Sequence, residues 1–205
     1  MKLLGSRASG TNDDYSDWDH SIEGAGDFAT LQPILDDALC WRVQKLGPLM
    51  VLTLITPEFA LHDYTDESGA CEAEWEEIQA RESDMRVATF WILAFKHLKA
   101  IYREYWLLLD CGIELSAQIV RDTFVETHFG TPHYKDFFAH KRLGDGVAER
   151  CAPLFAATGL PTRTRTERID KLRALNALYA SLTPGPSETL RAGAEARLLA
   201  LREQP

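Results

Sequence analysis

Apolar and polar residues alternate through roughly the first third of the chain and recur at steps of three and four through the rest. KLLG, residues 2–5, reads as a short strand running into a Gly-Ser turn, and the polar stretch 6–16 reads as a loop. DWDHSIEG, residues 17–24, alternates and predicts a second strand, ended by Gly24 and Gly26. Asp27 is then placed as the N-cap of an amphipathic helix, FATLQPILDDALCW, with Pro33 near its first turns. Three further runs follow, WRVQKLG, LMVLTLIT and EFALHDYT, punctuated by Gly47-Pro48 and Pro57. β-branched and aromatic residues between such breakers predict a meander. Its last strand, near residues 58–65, is expected to return beside the DWD strand.

The pattern changes at about residue 72. CEAEWEEIQARESDM is strongly acidic and reads as a helical or mobile connector. From Val87 the period is helical: Phe90, Trp91, Ala94, Phe95, Leu98, Ile101, Tyr102, Tyr105, Trp106 and Leu109 make one apolar stripe. Gly112 is expected to break that helix. A second helix is predicted through IELSAQIVRDTFVETHF, ended by Gly130 and Pro132. KDFFAHKRL with DGVAERCAPLFAATG, RIDKLRALNALYASL and an Ala/Leu/Arg-rich tail supply further helices. Strands first and helices afterwards define an α+β protein with a domain of residues 1–71 and a helical domain of residues 72–205.

Composition narrows this picture. A hydrophobic fraction of 45% supports a real core, and a formal net charge of -9 argues against a general nucleic-acid binder. Cys40, Cys71, Cys111 and Cys151 are scattered without CxxC spacing, which argues against a zinc or disulfide framework and fits reduced thiols in a cytoplasmic protein. MKLLGSRASG lacks the apolar core of a signal peptide. The longest apolar run, ATFWILAFKHLKAIYREYWLLLD, is interrupted by charges, so no membrane partner is expected.

Acidic residues inside predicted strands need a reason, because strands disfavour them. Asp17 and Asp19 are separated by one residue, so on a strand both leave the same face. Two carboxylates so close repel unless a cation lies between them, and carboxylate oxygens shared with phosphate and water are the usual way to hold Mg²⁺. Asp63, in ALHDYT, is the best third carboxylate. Upstream, Gly5 lets the backbone approach a ligand closely. Backbone N–H groups there, with the Ser6 hydroxyl, Arg7 and Thr11, form a candidate phosphate cradle.

The Gly-Ser pair followed ten residues later by Asp-x-Asp resembles the signature of the nucleotidyltransferase fold of the DNA polymerase β superfamily. GSRASGTNDDYSDWD is similar to the corresponding stretch of small antibiotic (aminoglycoside and lincosamide) nucleotidyltransferases and of minimal nucleotidyltransferases. The later FWILAFKHLKAIYREYWLLLD resembles the helix such enzymes carry after the catalytic sheet. The motif spans about fifteen residues, and the order of elements agrees over about 130. The resemblance implies a small mixed nucleotidyltransferase sheet followed by a helical bundle. It also implies Mg²⁺-dependent transfer of a nucleoside monophosphate, AMP from ATP or another NTP, onto an acceptor hydroxyl. Asp17 and Asp19 would hold the metal, and Asp63 would bind a second metal or take the acceptor proton. Lys96 and Arg103, seven residues apart, would reach the outer phosphates. Family members usually carry a helix ahead of the Gly-Ser strand, and Trp18 is bulkier than the residue commonly found between the two aspartates.

Each of these residues also has a plainer reading. Asp17 and Asp19 fit a solvated loop edge, and Asp63 fits a hairpin end beside Asp66 and Glu67. Lys96 and Arg103 fit cations at the border of an apolar face. Glu104 is a second candidate acceptor-side base or simply a solvated helix residue. His20 and His62 face away from the carboxylates by alternation, and His97, His128, His133 and His140 lack metal spacing. The acidic run after residue 71 is either solvated or an attraction for a cationic acceptor such as an aminoglycoside. The functional expectation is therefore a cytoplasmic adenylyltransferase acting on a small hydroxylated, antibiotic-like acceptor, with homodimerisation open. The alternatives are a toxin–antitoxin type minimal nucleotidyltransferase that modifies a partner protein and a degenerate nucleotide-binding member.

Overall fold

The computed structural model describes residues 1–67, 71–81, 84–130 and 147–204. It is α+β, a five-stranded mixed sheet followed by helices. Two compact units divide it, Met1–Phe95 and Lys96–Pro205, with the division inside one helix.

The first unit contains β1 (Lys2–Leu4), α1 (Gly5–Ser9), β2 (Trp18–Ser21), α2 (Ala25–Asp37), β3 (Cys40–Leu46), β4 (Leu49–Ile55), β5 (Leu61–Asp66), α3 (Glu72–Ala80) and the start of α4 (Met85–Tyr102). The strand order is β1-β2-β5-β4-β3. Only β2 and β5 run parallel; β1 with β2, β5 with β4, and β4 with β3 are antiparallel. The meander is as its breakers foretell, and its last strand does return beside β2.

Near the N-terminal end two features depart from the sequence reading. The chain after Gly5 is the single-turn helix α1, not the beginning of a loop, and Gly10 closes it in the left-handed conformation at φ 70°. Asp27 lies two residues inside α2, whose N-cap is Gly24. It still serves the helix entrance, because its Oδ2 accepts the Glu23 amide at 2.8 Å.

Alternation sorts the sheet into two faces. Val43, Leu52, Leu54 and Tyr64 point to the face covered by α2 and α3, where they form a core with Phe28, Leu31, Leu35, Trp75 and Ile78. Phe28 meets Trp75 edge-on with ring centroids 5.1 Å apart. The Trp75 indole N–H donates to the fully buried Asp66 carboxylate at 3.1 Å. The run after residue 71 is thus a helix docked through Trp75 and Ile78. That docking explains why the contacts draw the unit boundary at 95/96, whereas the sequence pattern draws it at 71/72. Residues of the other face alternate with these. There Arg42 donates to the Thr89 hydroxyl on α4 at 2.6 Å.

The second unit takes the remainder of α4, then α5 (Trp106–Phe129), α6 (Val147–Arg150), α7 (Ala152–Thr158), α8 (Arg165–Leu182) and α9 (Pro186–Glu203). α8 is the organising helix, packed against α5, α7 and α9. Thr164 and Glu167 form a reciprocal capping box at its start. Arg168 grips Asp110 with two hydrogen bonds of 2.7 and 2.8 Å, which ties α8 to α5. The expected helix KDFFAHKRL lies outside the described residues, as do His133 and His140.

Gly112 does not break the long apolar stripe; it sits inside α5. The break falls earlier, at Arg103–Glu104–Tyr105. The Tyr105 amide reaches back to the Ala100 carbonyl at 2.9 Å and the Glu104 amide to Ile101 at 3.2 Å. Glu104 adopts φ 57°. These are the two hydrogen bonds of a Schellman stop, with glutamate where glycine is usual. A side chain in this conformation costs roughly 1 kcal/mol. Glu104→Gly is therefore expected to raise stability by about that amount, or several degrees in Tm, measured by circular dichroism. The helical glycine has a different reason. A Cβ at Gly112 would lie 2.5 Å from Nε2 of His97, a ring that is 3% exposed. Gly112 is the gap that admits that imidazole.

Candidate active site

The register of the sheet sets a row of polar residues across one face. Asp19 on β2 is the in-register partner of Asp63 on β5, and Asp63 is the partner of Thr53 on β4. Thr53 pairs in turn with Arg42 on β3, and Leu4 of β1 closes the other end against Asp19. In-register residues of neighbouring strands share a face, so the two carboxylates, Thr53 and Arg42 form one line. Two strands separated in sequence by residues 22–60 bring Asp19 and Asp63 together. Both are half-buried. The Thr53 hydroxyl donates to Asp63 Oδ1.

Gly5 packs directly against this row. It has φ 66°, and a Cβ added there would collide with Oδ2 of Asp19. The Gly-Ser bend therefore lies against the first carboxylate, and the requirement for glycine is double: a left-handed backbone and no side chain. Gly5→Ala is expected to cost about 2 kcal/mol and to displace the Asp19 carboxylate. Thermal unfolding measures the first effect, and a crystal structure of the variant measures the second.

Asp17 is placed differently from Asp19. It lies one residue ahead of β2, so strand alternation fixes Asp19 but not Asp17. The loop that delivers Asp17 is braced from within. Asp13 Oδ1 accepts the Tyr15 amide at 2.9 Å and the Ser16 hydroxyl at 3.1 Å. Arg7 donates twice to the Ser16 carbonyl, at 2.8 and 3.1 Å. Its guanidinium also lies 4.1 Å from the centre of the Trp18 ring. The structure thus gives Arg7 a holding role: it pins the residue before Asp17 to the helix that starts with Gly5 and Ser6. Ser6 is half-buried in α1, and its carbonyl accepts the Thr11 amide at 2.9 Å.

The opposite face of the same two strands carries rings. Trp18, His62, His20 and Tyr64 stack in sequence, with centroid separations of 5.6, 5.4 and 4.6 Å. Nε2 of His20 and Nδ1 of His62 are 3.3 Å apart. Burial pushes the His62 imidazole down to about 4, helped by the nearby His20 and Arg7. Burial lowers His20 as well, against the pull of Asp19. At neutral pH the two imidazoles in this stack are therefore uncharged, with the Arg7 guanidinium over the Trp18 end.

Lys96 and Arg103 belong to the second unit. Lys96 is exposed on α4, and Arg103 is the residue just beyond its end, the cap of the Schellman stop. Glu104 is exposed in that stop. The acidic helix α3 packs on the ring-bearing face of the sheet, behind the Asp19–Asp63 row. Its glutamates accordingly do not line that row.

Among the described residues no three His, Cys, Asp or Glu side chains converge as a metal-holding group. The structure pairs Asp19 with Asp63 and leaves the expected triple unassembled. Mg²⁺ does not need an all-protein cage; it is commonly held by one or two carboxylates plus substrate phosphates. Two half-buried carboxylates in register on adjacent strands repel one another. That hard-oxygen pair fits a divalent cation shared with a phosphate chain. Sequence reasoning missed Thr53, whose only signal was a lone polar residue inside LMVLTLI. Among the described residues no helix is long and apolar enough to cross a membrane. The chain matches no protein-family model and no curated protein.

Proposed function

We infer that the protein is a Mg²⁺-dependent nucleotidyltransferase that moves a nucleoside monophosphate, AMP from ATP in the first instance, onto a hydroxyl of a small acceptor. The observation that carries this reading is the in-register pairing of Asp19 with Asp63 across parallel strands, with Gly5 packed against Asp19. Asp19 and Asp63, together with phosphate oxygens of the nucleotide, would hold Mg²⁺, while Asp17, at the end of the braced loop, stands outside that pair. When bound, that ion offsets charge on the triphosphate as the bond to the leaving pyrophosphate breaks. Asp63 stands between Asp19 and Thr53, where it can also accept a hydrogen bond from an acceptor hydroxyl. Gly5 and Ser6 supply the small residues that let a phosphate chain approach the row, and Arg7 fixes the loop bearing Asp17. Lys96 and Arg103 remain proposed contacts to the outer phosphates. The acidic helix lies behind the sheet, so any preference for a cationic acceptor such as an aminoglycoside rests on the carboxylate row itself.

The test is incubation of the full chain with labelled ATP, Mg²⁺ and a panel of aminoglycosides and lincosamides. Label on a drug that disappears in Asp19→Asn supports the reading. Label only on a co-expressed protein replaces the small acceptor with a protein tyrosine. Failure to bind Mg·ATP by calorimetry overturns the enzyme reading.

A further inference from the structure

We propose that Thr53 is a positioning residue for Asp63: its hydroxyl holds the carboxylate in the orientation that receives the divalent cation. This rests on the nucleotidyltransferase reading and adds to it a residue outside the Gly-Ser and Asp-x-Asp motifs.

Thr53 is the only polar residue in β4, LMVLTLI, and is 4% exposed. Valine has nearly the same shape, suits a strand at least as well, and carries no hydroxyl to satisfy. A threonine in such a place needs a partner, and it has one: its Oγ1–H donates to Asp63 Oδ1. The antiparallel register fixes that contact, since Thr53 and Asp63 are Cα partners. On its other side Asp63 meets Asp19. Thr53 thus tethers one oxygen of a carboxylate whose in-register neighbour on the other side is a second carboxylate. Holding one oxygen restricts rotation of the carboxylate before any ligand arrives. Groups that orient a metal-binding carboxylate in this way typically change metal affinity by about 10–100-fold when removed.

The experiment uses the full chain, with Mn²⁺ as the probe and ATP present, and follows free Mn²⁺ by electron paramagnetic resonance. Thr53→Val is expected to weaken Mn²⁺ binding by about 10–100-fold with Tm within a few degrees of wild type. Thr53→Ser is expected to restore binding. On an Asp63→Asn background, Thr53→Val is expected to add nothing, because the group it orients is no longer a carboxylate. A purely structural role would instead lower Tm and would act equally on both backgrounds. Should valine disturb the fold, Thr53→Ala provides the same deletion without added bulk. Wild-type-like Mn²⁺ affinity in a folded Thr53→Val or Thr53→Ala protein overturns the proposal while leaving the enzyme reading intact. Absence of Mn²⁺ binding in the wild-type chain with ATP overturns both.

Discussion

Asp19→Asn is expected to abolish nucleotide transfer while leaving the protein as stable as before or slightly more so. The two effects have one cause. Asp19 and Asp63 are in-register partners and both half-buried, so each destabilises the other in the absence of a cation. Removing one charge relieves that repulsion by up to about 1 kcal/mol. On the proposed reading, the same change would also take a negative charge and one carboxylate oxygen away from the cation site. A loss of about 4 kcal/mol of transition-state stabilisation corresponds to roughly 10³-fold in rate. Activity assays and thermal unfolding on the same preparation give both numbers. A variant that loses Tm and activity together would instead point to a carboxylate that serves the fold.

The second large effect is acid destabilisation through His97. Its imidazole is buried between α4 and Gly112 and is held down to about 4 by burial, with the Gly112 backbone opposing weakly. Neither ring nitrogen has a well-formed hydrogen bond among the described residues. The unfolded chain takes up a proton near pH 6.5, and the folded chain does so only near pH 4. Between these values the unfolded state binds more protons, so stability rises with pH. It is fully present above about pH 6.5, declines as the pH falls, and has lost about 3 kcal/mol at the lower limit. Urea unfolding at pH 7 and pH 4.5 measures the decline. His97→Leu is expected to flatten it in part, leaving the share that belongs to His62, which is lowered in the same direction. An unchanged pH profile in His97→Leu would show that the imidazole is solvated in the native state.

Much of the sheet could be read in advance because its signals are local. Gly47-Pro48 and Pro57 mark the ends of strands, and the apolar density of LMVLTLI marks a strand whose neighbours lie on both sides. Asp63 stood out because a carboxylate in a strand needs a cause. The rest depended on partners that local patterns do not name. Gly112 looks like a helix breaker until His97 is known to fill the space above it. The true stop uses Glu104, a residue with no left-handed preference, so nothing in the sequence announces it. Arg7 looks like a phosphate ligand, but its guanidinium meets the Ser16 carbonyl and the Trp18 ring, neither of which spacing can foresee. Asp17 and Asp19 share a spacing but not a strand, because β2 begins at Trp18. The acidic helix carries the right charge, but on the far side of the sheet.

Among the described residues β5 is the last strand in chain order, and it is the middle strand of the sheet. A ribosome releases Asp19 well before the segment that carries Asp63, and the four earlier strands comprise two separate antiparallel pairs with a gap between them. Neither pair alone has the constellation. The final strand must slot into that gap, zipping to a neighbour on each flank, before any ion could be gripped from both sides. On the proposed reading, closing the sheet and acquiring affinity for the ion would be a single event, and a nascent or nicked chain lacking that keystone would be inert, however complete its Gly-Ser motif.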